Sequence, residues 1–130
     1  MTDRKEAVHT DLAPRALGPY SQAIKHGDLV FLSGQVALDP ETMQMAGADI
    51  ETQANRIFRN IAAVVEASGT SMDRVLKLTI FLTDLKNFRT VNEIMKKYFS
   101  EPYPARSTVE ISALPAGACI EIEAIASASR

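Results

Sequence analysis

Apolar positions in the middle of the chain follow a helical period. Ile50, Ala54, Ile57, Ile61, Val64 and Val65 fall on one side of a 3.6-residue repeat, with polar residues between them. Asp49 precedes this run as an N-cap whose carboxylate can accept the free N–H groups of a first turn, and Gly69 supplies the stop. Phe88, Val91, Met95 and Tyr98 mark one side of a second, shorter helix, which Pro102 and Pro104 prevent from continuing. Between the two, VLKLTIFL (75–82) is rich in β-branched and aromatic residues and predicts a strand.

Shorter periods flank this centre. From Tyr20 to Leu38 the pattern predicts two or three short strands, with YSQAIK running into a turn at His26-Gly27-Asp28 and LVFLSGQVAL following it. A turn at Asp39-Pro40 and a flexible Met/Ala/Gly stretch lead to Ala48. Two last strands span roughly Arg106 to Ile111 and Cys119 to Ala126, parted by a turn around Pro115 and Gly117. The order is βββαβαββ, which suggests a layered α+β domain with both helices on one sheet face. Residues 1–12, polar and without period, read as a flexible arm before a single domain of residues 13–130.

Alternation in the last strand is informative. Ile120, Ile122 and Ala124 point one way and suit packing beneath helices, whereas Cys119, Glu121, Glu123 and Ile125 point the other. A face that mixes acids with apolar residues suits a subunit interface with polar clefts.

Composition narrows the function classes. The 130 residues are 46% hydrophobic and 23% charged with a net charge of −2, ordinary for one folded domain. There is no basic stripe, so a nucleic-acid partner is not expected. No apolar run approaches the ~20 residues a membrane helix needs, and the N-terminus lacks the apolar core of a secretory signal. One cysteine, Cys119, allows neither an internal disulfide nor a cysteine-based metal site. These features favour the cytosol.

The strongest local constellation is Pro104-Ala105-Arg106 entering one strand, with Glu121 on the next. A guanidinium fork can hold a carboxylate through two parallel hydrogen bonds, and a nearby carboxylate can take protons from water or an amine. On the residues alone, an interstrand ion pair or a solvated strand end explains the same two groups.

Several segments, in order, carry a resemblance. Ala13-Pro14 is followed by GPYSQA (18–23), LVFLSGQVALDP (29–40), TIFLTDLKNF (79–88), VNEIM (91–95), PARSTVE (104–110) and IEIEAIA (120–126). From about Ala13 to Ala126 the chain resembles the RidA (YjgF) family. The resemblance implies a chorismate-mutase-like fold with helices on one face of a mixed sheet, and a homotrimer whose sheets form a central barrel with clefts at the subunit boundaries. It also implies hydrolytic deamination of reactive enamines and imines, such as 2-aminoacrylate from pyridoxal-phosphate-dependent dehydratases, to 2-keto acids and ammonia, without cofactor or metal. The family's carboxylate-binding arginine falls on Arg106 and its water-positioning glutamate on Glu121. Tyr20, Ser33, Gly34 and Asn92 line the same cleft in the family, contributed by adjacent subunits, and Ser107 can offer its backbone or hydroxyl to it.

This chain departs from the family's pattern at three positions in or beside these motifs. Ser107 stands where many relatives carry cysteine, Met95 where tyrosine is frequent, and Leu12 where lysine is common. Arg–Glu hydrolysis does not depend on a thiol, but cleft size and polarity do depend on these residues. Rival readings are a non-catalytic ligand-binding module, which the presence of Arg106 disfavours, a narrower deaminase, and a ribonuclease. The last would need basic or aromatic surfaces that this chain hardly offers.

Overall fold

The computed structural model describes residues 4–128. Its elements are β1 (Glu6–Val8), β2 (Ala23–His26), β3 (Leu29–Gln35), α1 (Ile50–Ala67), β4 (Val75–Leu82), α2 (Phe88–Tyr98), β5 (Ala105–Glu110) and β6 (Ile120–Ser127). They form one six-stranded sheet in the order β1-β2-β3-β6-β4-β5. All neighbours are antiparallel except β4 and β5, which run parallel and are joined through α2, the crossover that parallel neighbours require.

The sheet buries one face. Val30 and Leu32 of β3, Leu78, Ile80 and Leu82 of β4, and Ile120, Ile122, Ala124 and Ala126 of β6 are buried, with the alternating residues left more open. Ala54, Ile57, Phe58, Ile61, Val64 and Val65 of α1 join the same core. Phe58 stacks on Tyr98 of α2 with ring centroids 5.1 Å apart and meets Phe99 edge-on at 5.7 Å, which locks the two helices together.

Helix α1 ends as its sequence dictates. Asp49 accepts from the Thr52 backbone N–H and hydroxyl, both at 2.9 Å, and these two bonds hold its carboxyl below the ordinary aspartate range. At the other end Gly69 takes φ +85°, and Gly69 and Thr70 donate to the carbonyls of Glu66 and Val65, a Schellman ending. Two buried amides on α1 anchor loops. Gln53 donates to the Gly47 carbonyl at 2.8 Å and accepts from the Cys119 N–H at 3.0 Å, while Asn60 donates to the Leu38 carbonyl at 3.0 Å.

One expectation needs correction. Of the two or three strands expected between Tyr20 and Leu38 two form, and the third strand before α1 is β1, inside the stretch read as a flexible arm. Glu6, Ala7 and Val8 pair with Lys25, Ile24 and Ala23. The buried Gln22 amide then pins the adjoining loop by accepting from the Thr10 N–H and donating toward the Thr10, Ala13 and Pro14 carbonyls. A three-residue strand has too short a pattern to announce itself, because its partner supplies its stability. The first three residues of that arm lie outside the described residues. Strands β5 and β6 differ by about one residue at their ends from the expected spans, an ordinary ambiguity of strand ends.

Because Phe58 fills the contact between α1, Tyr98 and Phe99, Phe58→Ala should cost about 3–5 kcal/mol of stability. Urea unfolding of the variant should show this as a lower midpoint, and an unchanged midpoint would contradict the packing described.

Candidate active site

Arg106 is the second residue of β5 and sits opposite Leu78 of β4, so its side chain lies on the helix-covered face. There α2 receives it. Its Nη1 donates to Asn92 Oδ1 in a short hydrogen bond and approaches Met95 Sδ at 3.5 Å. Its guanidinium carbon lies 4.9 Å from the centre of the Phe88 ring, within cation–π range. Phe88, Asn92 and Met95 are spaced i, i+4 and i+7, so one helix face presents all three. A cavity of about 480 Å³ opens over the guanidinium, lined by Asn92, Glu93, Met95, Lys96, Tyr103, Pro104 and Arg106.

Glu121 is elsewhere. It pairs with Phe81, between the buried Ile120 and Ile122, and so points from the open face of the sheet. Its carboxylate lies across β3 at Gly34, where a Cβ would come within 2.4 Å of Oε2. Only glycine leaves that room. Register between β3 and β6 shifts between Leu32 and Gln35, so Ser33 and Gly34 form a bulge. Ser33 Oγ donates to the Ser21 carbonyl at 2.6 Å and its N–H to the Gln22 carbonyl at 3.0 Å, tying the bulge to the segment after Tyr20. Burial raises the Glu121 pKa above the ordinary value of 4.5, and the neighbouring Glu123 charge adds to the rise.

The candidate residues therefore form two groups on opposite sides of one sheet. Asn92 joins Arg106; Ser33 and Gly34 join Glu121. Ser107 pairs with Thr79 and is exposed on the open face, away from the guanidinium. Tyr20 is also exposed, and its hydroxyl accepts from the Leu17 N–H at 3.2 Å. Phe88, read only as the apolar side of α2, and Met95, read also as a departure that alters the cleft, prove to contact Arg106. Their spacing with Asn92 was the available signal. Cys119 donates its thiol to Gln53 Oε1 at 3.1 Å, and burial raises its pKa. Among the described residues no three His, Cys, Asp or Glu side chains gather as a metal site, and no helix is long and apolar enough to cross a membrane.

Comparison with known proteins places this geometry. The family model described as Endoribonuclease L-PSP matches residues 10–128. The chain belongs to the RidA (YjgF) family. Reactive Intermediate Deaminase A, chloroplastic, of Arabidopsis thaliana is 52% identical over 123 residues, 95% of this chain and 66% of that protein. The 2-iminobutanoate/2-iminopropanoate deaminase of Dermatophagoides farinae is 45% identical over 121 residues, 93% of this chain and 94% of the relative. The crystal structure of a Rid-family protein of unknown function from Yersinia pestis superposes with a TM-score of 0.93 at 46% identity, covering 95% of this chain and 99% of that one. Deaminase names among relatives this similar support an enzymatic, imine-directed role for the family fold.

The open-face carboxylate generates a pH prediction. A raised pKa means that the fold disfavours the charged form, so this site favours folding most below pH 4.5 and loses that contribution as pH rises through the folded-state value. Glu121→Gln removes the titration. The melting temperature of the variant, relative to wild type, should climb between about pH 4 and pH 7. A difference that stays flat across that range would show that Glu121 is not desolvated.

Proposed function

We propose that the protein hydrolyses small 2-imino acids, and the enamines in equilibrium with them, at a site shared between two copies of the chain. The single observation carrying this reading is the pair of complementary half-sites: a braced guanidinium beside a cavity on one face, and a half-buried carboxylate on the other. Different surfaces that meet head-to-tail close into rings, which is the arrangement the family resemblance implies. A homotrimer satisfies every half-site once. β5 lies at the sheet edge, where the open face of a neighbour can approach Arg106. That open face also exposes Leu29, Phe31 and Val109, apolar surface suited to burial between subunits.

In the proposed reaction, Arg106 holds the substrate carboxylate through the guanidinium nitrogens that Asn92 leaves available. Glu121 of the adjacent copy orients a water against the imine carbon and accepts its proton as the C–O bond forms. The resulting carbinolamine receives a proton on nitrogen, the C–N bond breaks, and ammonia leaves as the ketone forms. Overall, R–C(=NH)–COO⁻ and water give R–CO–COO⁻ and ammonia. A raised Glu121 pKa suits a group that must both take and return a proton. Ser33 and Gly34 set the carboxylate's position, Tyr20 and Ser107 complete the cleft walls at the boundary, and Asn92 orients the arginine. Neither a metal nor an organic cofactor has a part in this scheme. The natural suppliers of such substrates are pyridoxal-phosphate-dependent dehydratases in the cytoplasm.

Two measurements test this. Arg106→Ala loses two charge-assisted bonds worth ~1.5–3 kcal/mol each, so kcat/KM for 2-iminopropanoate should fall at least about a hundredfold. Turnover near the wild-type level in that variant would overturn the assignment. Mixing then tests the shared site. Arg106→Ala and Glu121→Ala proteins should each be inactive, but when co-refolded they should regain up to about a quarter of wild-type activity, because about one boundary in four then unites an intact arginine with an intact glutamate. No recovery in demonstrably mixed oligomers would place both groups in one chain's site or in none.

A further inference from the structure

The cavity over Arg106 holds a second cation. Lys96 follows Asn92 by one turn of α2 and lines the same space, its ammonium bound to the Glu93 carboxylate at 2.7 Å. Arg106 itself is fixed at the inner end by Asn92, Met95 and Phe88. A ligand gripped by the guanidinium would therefore extend along α2 toward an ammonium. A three-carbon imino acid needs only the arginine and has six non-hydrogen atoms. The cavity, at about 480 Å³, is roughly sixteen times the ~30 Å³ a water occupies in the liquid, and leaves room beyond such a ligand.

Glu93 is the only acid among the lining residues, and it occupies Lys96 from inside the same helix. Both side chains are largely exposed, at 60% and 71%, and an exposed i,i+3 pair is held weakly. A ligand carboxylate arriving at the cavity mouth can replace Glu93 with little loss. When it does, each ligand carboxylate faces one cation, Arg106 or Lys96, and the largely exposed Glu93 carboxylate is left to solvent. A neutral side chain gains nothing from Lys96, and a cationic one is repelled by both residues.

We propose that this site is selective for four- or five-carbon 2-imino dicarboxylates, with Arg106 holding the carboxylate beside the imine and Lys96 the distal one. Glu93 is then an internal competitor that screens Lys96 until a diacid displaces it. The reactions that supply this substrate are oxidations of acidic amino acids at the α-carbon, or β-eliminations of water from their β-hydroxy derivatives. The inference rests on the deaminase reading for its chemistry, but its binding claim can be measured independently.

Stable 2-keto acids serve as probes, since they keep the carboxylates of the imino acids and have no imine to hydrolyse. By titration calorimetry the oligomeric protein should bind 2-oxoglutarate about tenfold more tightly than 2-oxobutanoate, the return expected from one added charge-assisted contact. Lys96→Met should abolish that preference and leave 2-oxobutanoate binding unchanged, which also shows that the variant is folded. Glu93→Gln should increase the preference. Equal binding of the two acids by the wild type, or a preference that survives Lys96→Met, overturns the inference. Keto-acid release from 2-iminopropanoate judges the deaminase reading separately. A protein that turns over imines without diacid preference loses only this inference, and one that binds diacids selectively without turnover loses only that reading.

Discussion

A pleated strand sends successive side chains to opposite faces, and that rule decides what one copy of this protein can do. Arg106 shares its face with Leu78 and the helices, whereas Glu121 lies between Ile120 and Ile122 and must point the other way. No rotamer carries either group through a sheet whose covered side is packed solid. The separation is thus as robust as the core itself. Any chemistry needing both groups has to be assembled from two chains, and the apolar residues exposed on the open face supply a reason for chains to meet there.

Each half is prepared before assembly. Asn92 accepts from the guanidinium while Phe88 and Met95 flank it, so the arginine's direction is set by α2 and not by the ligand. On the open face the Ser33-Gly34 bulge gives the Glu121 carboxylate a recess that any side chain would fill. Ordering long side chains costs conformational entropy, and here folding has already met that cost. Imines hydrolyse in water unaided, so the proposed reaction asks only a modest gain from holding the carboxylate and one water in place.

Much of this could be read from residues alone, where the physics is local. Helix α1 follows from six apolar positions, an Asp and a Gly, and the burial of Ile120, Ile122 and Ala124 follows from simple alternation. The resemblance names Ser33, Gly34 and Asn92; the structure shows the first two as a bulge beside Glu121 and the third as a partner of Arg106. The features that escaped depend on partners distant in sequence. β1 is a strand only because β2 lies beside it and Gln22 ties down the loop after it. Likewise Phe88 looks like an ordinary core position until β5 delivers a charge to it. Motif resemblance placed Arg106 and Glu121 in one cleft, but which face each occupies is a matter of register, and register is not visible in a motif.

Charge placement bears on specificity in the same way. Arg106 is part-buried and braced by α2, whereas Lys96 and Glu93 are exposed and exchangeable. Buried, preorganised groups set whether a ligand class binds at all; exposed pairs adjust which member of the class is preferred, because their rearrangement costs little. Changes along the outer turn of α2 can therefore redirect ligand choice without touching the proposed Arg106–Glu121 pair. Met95 belongs between these two zones. It touches the guanidinium through sulfur and walls the cavity with a flexible, apolar chain, so it can adapt to a longer ligand where a rigid aromatic ring would fix the space.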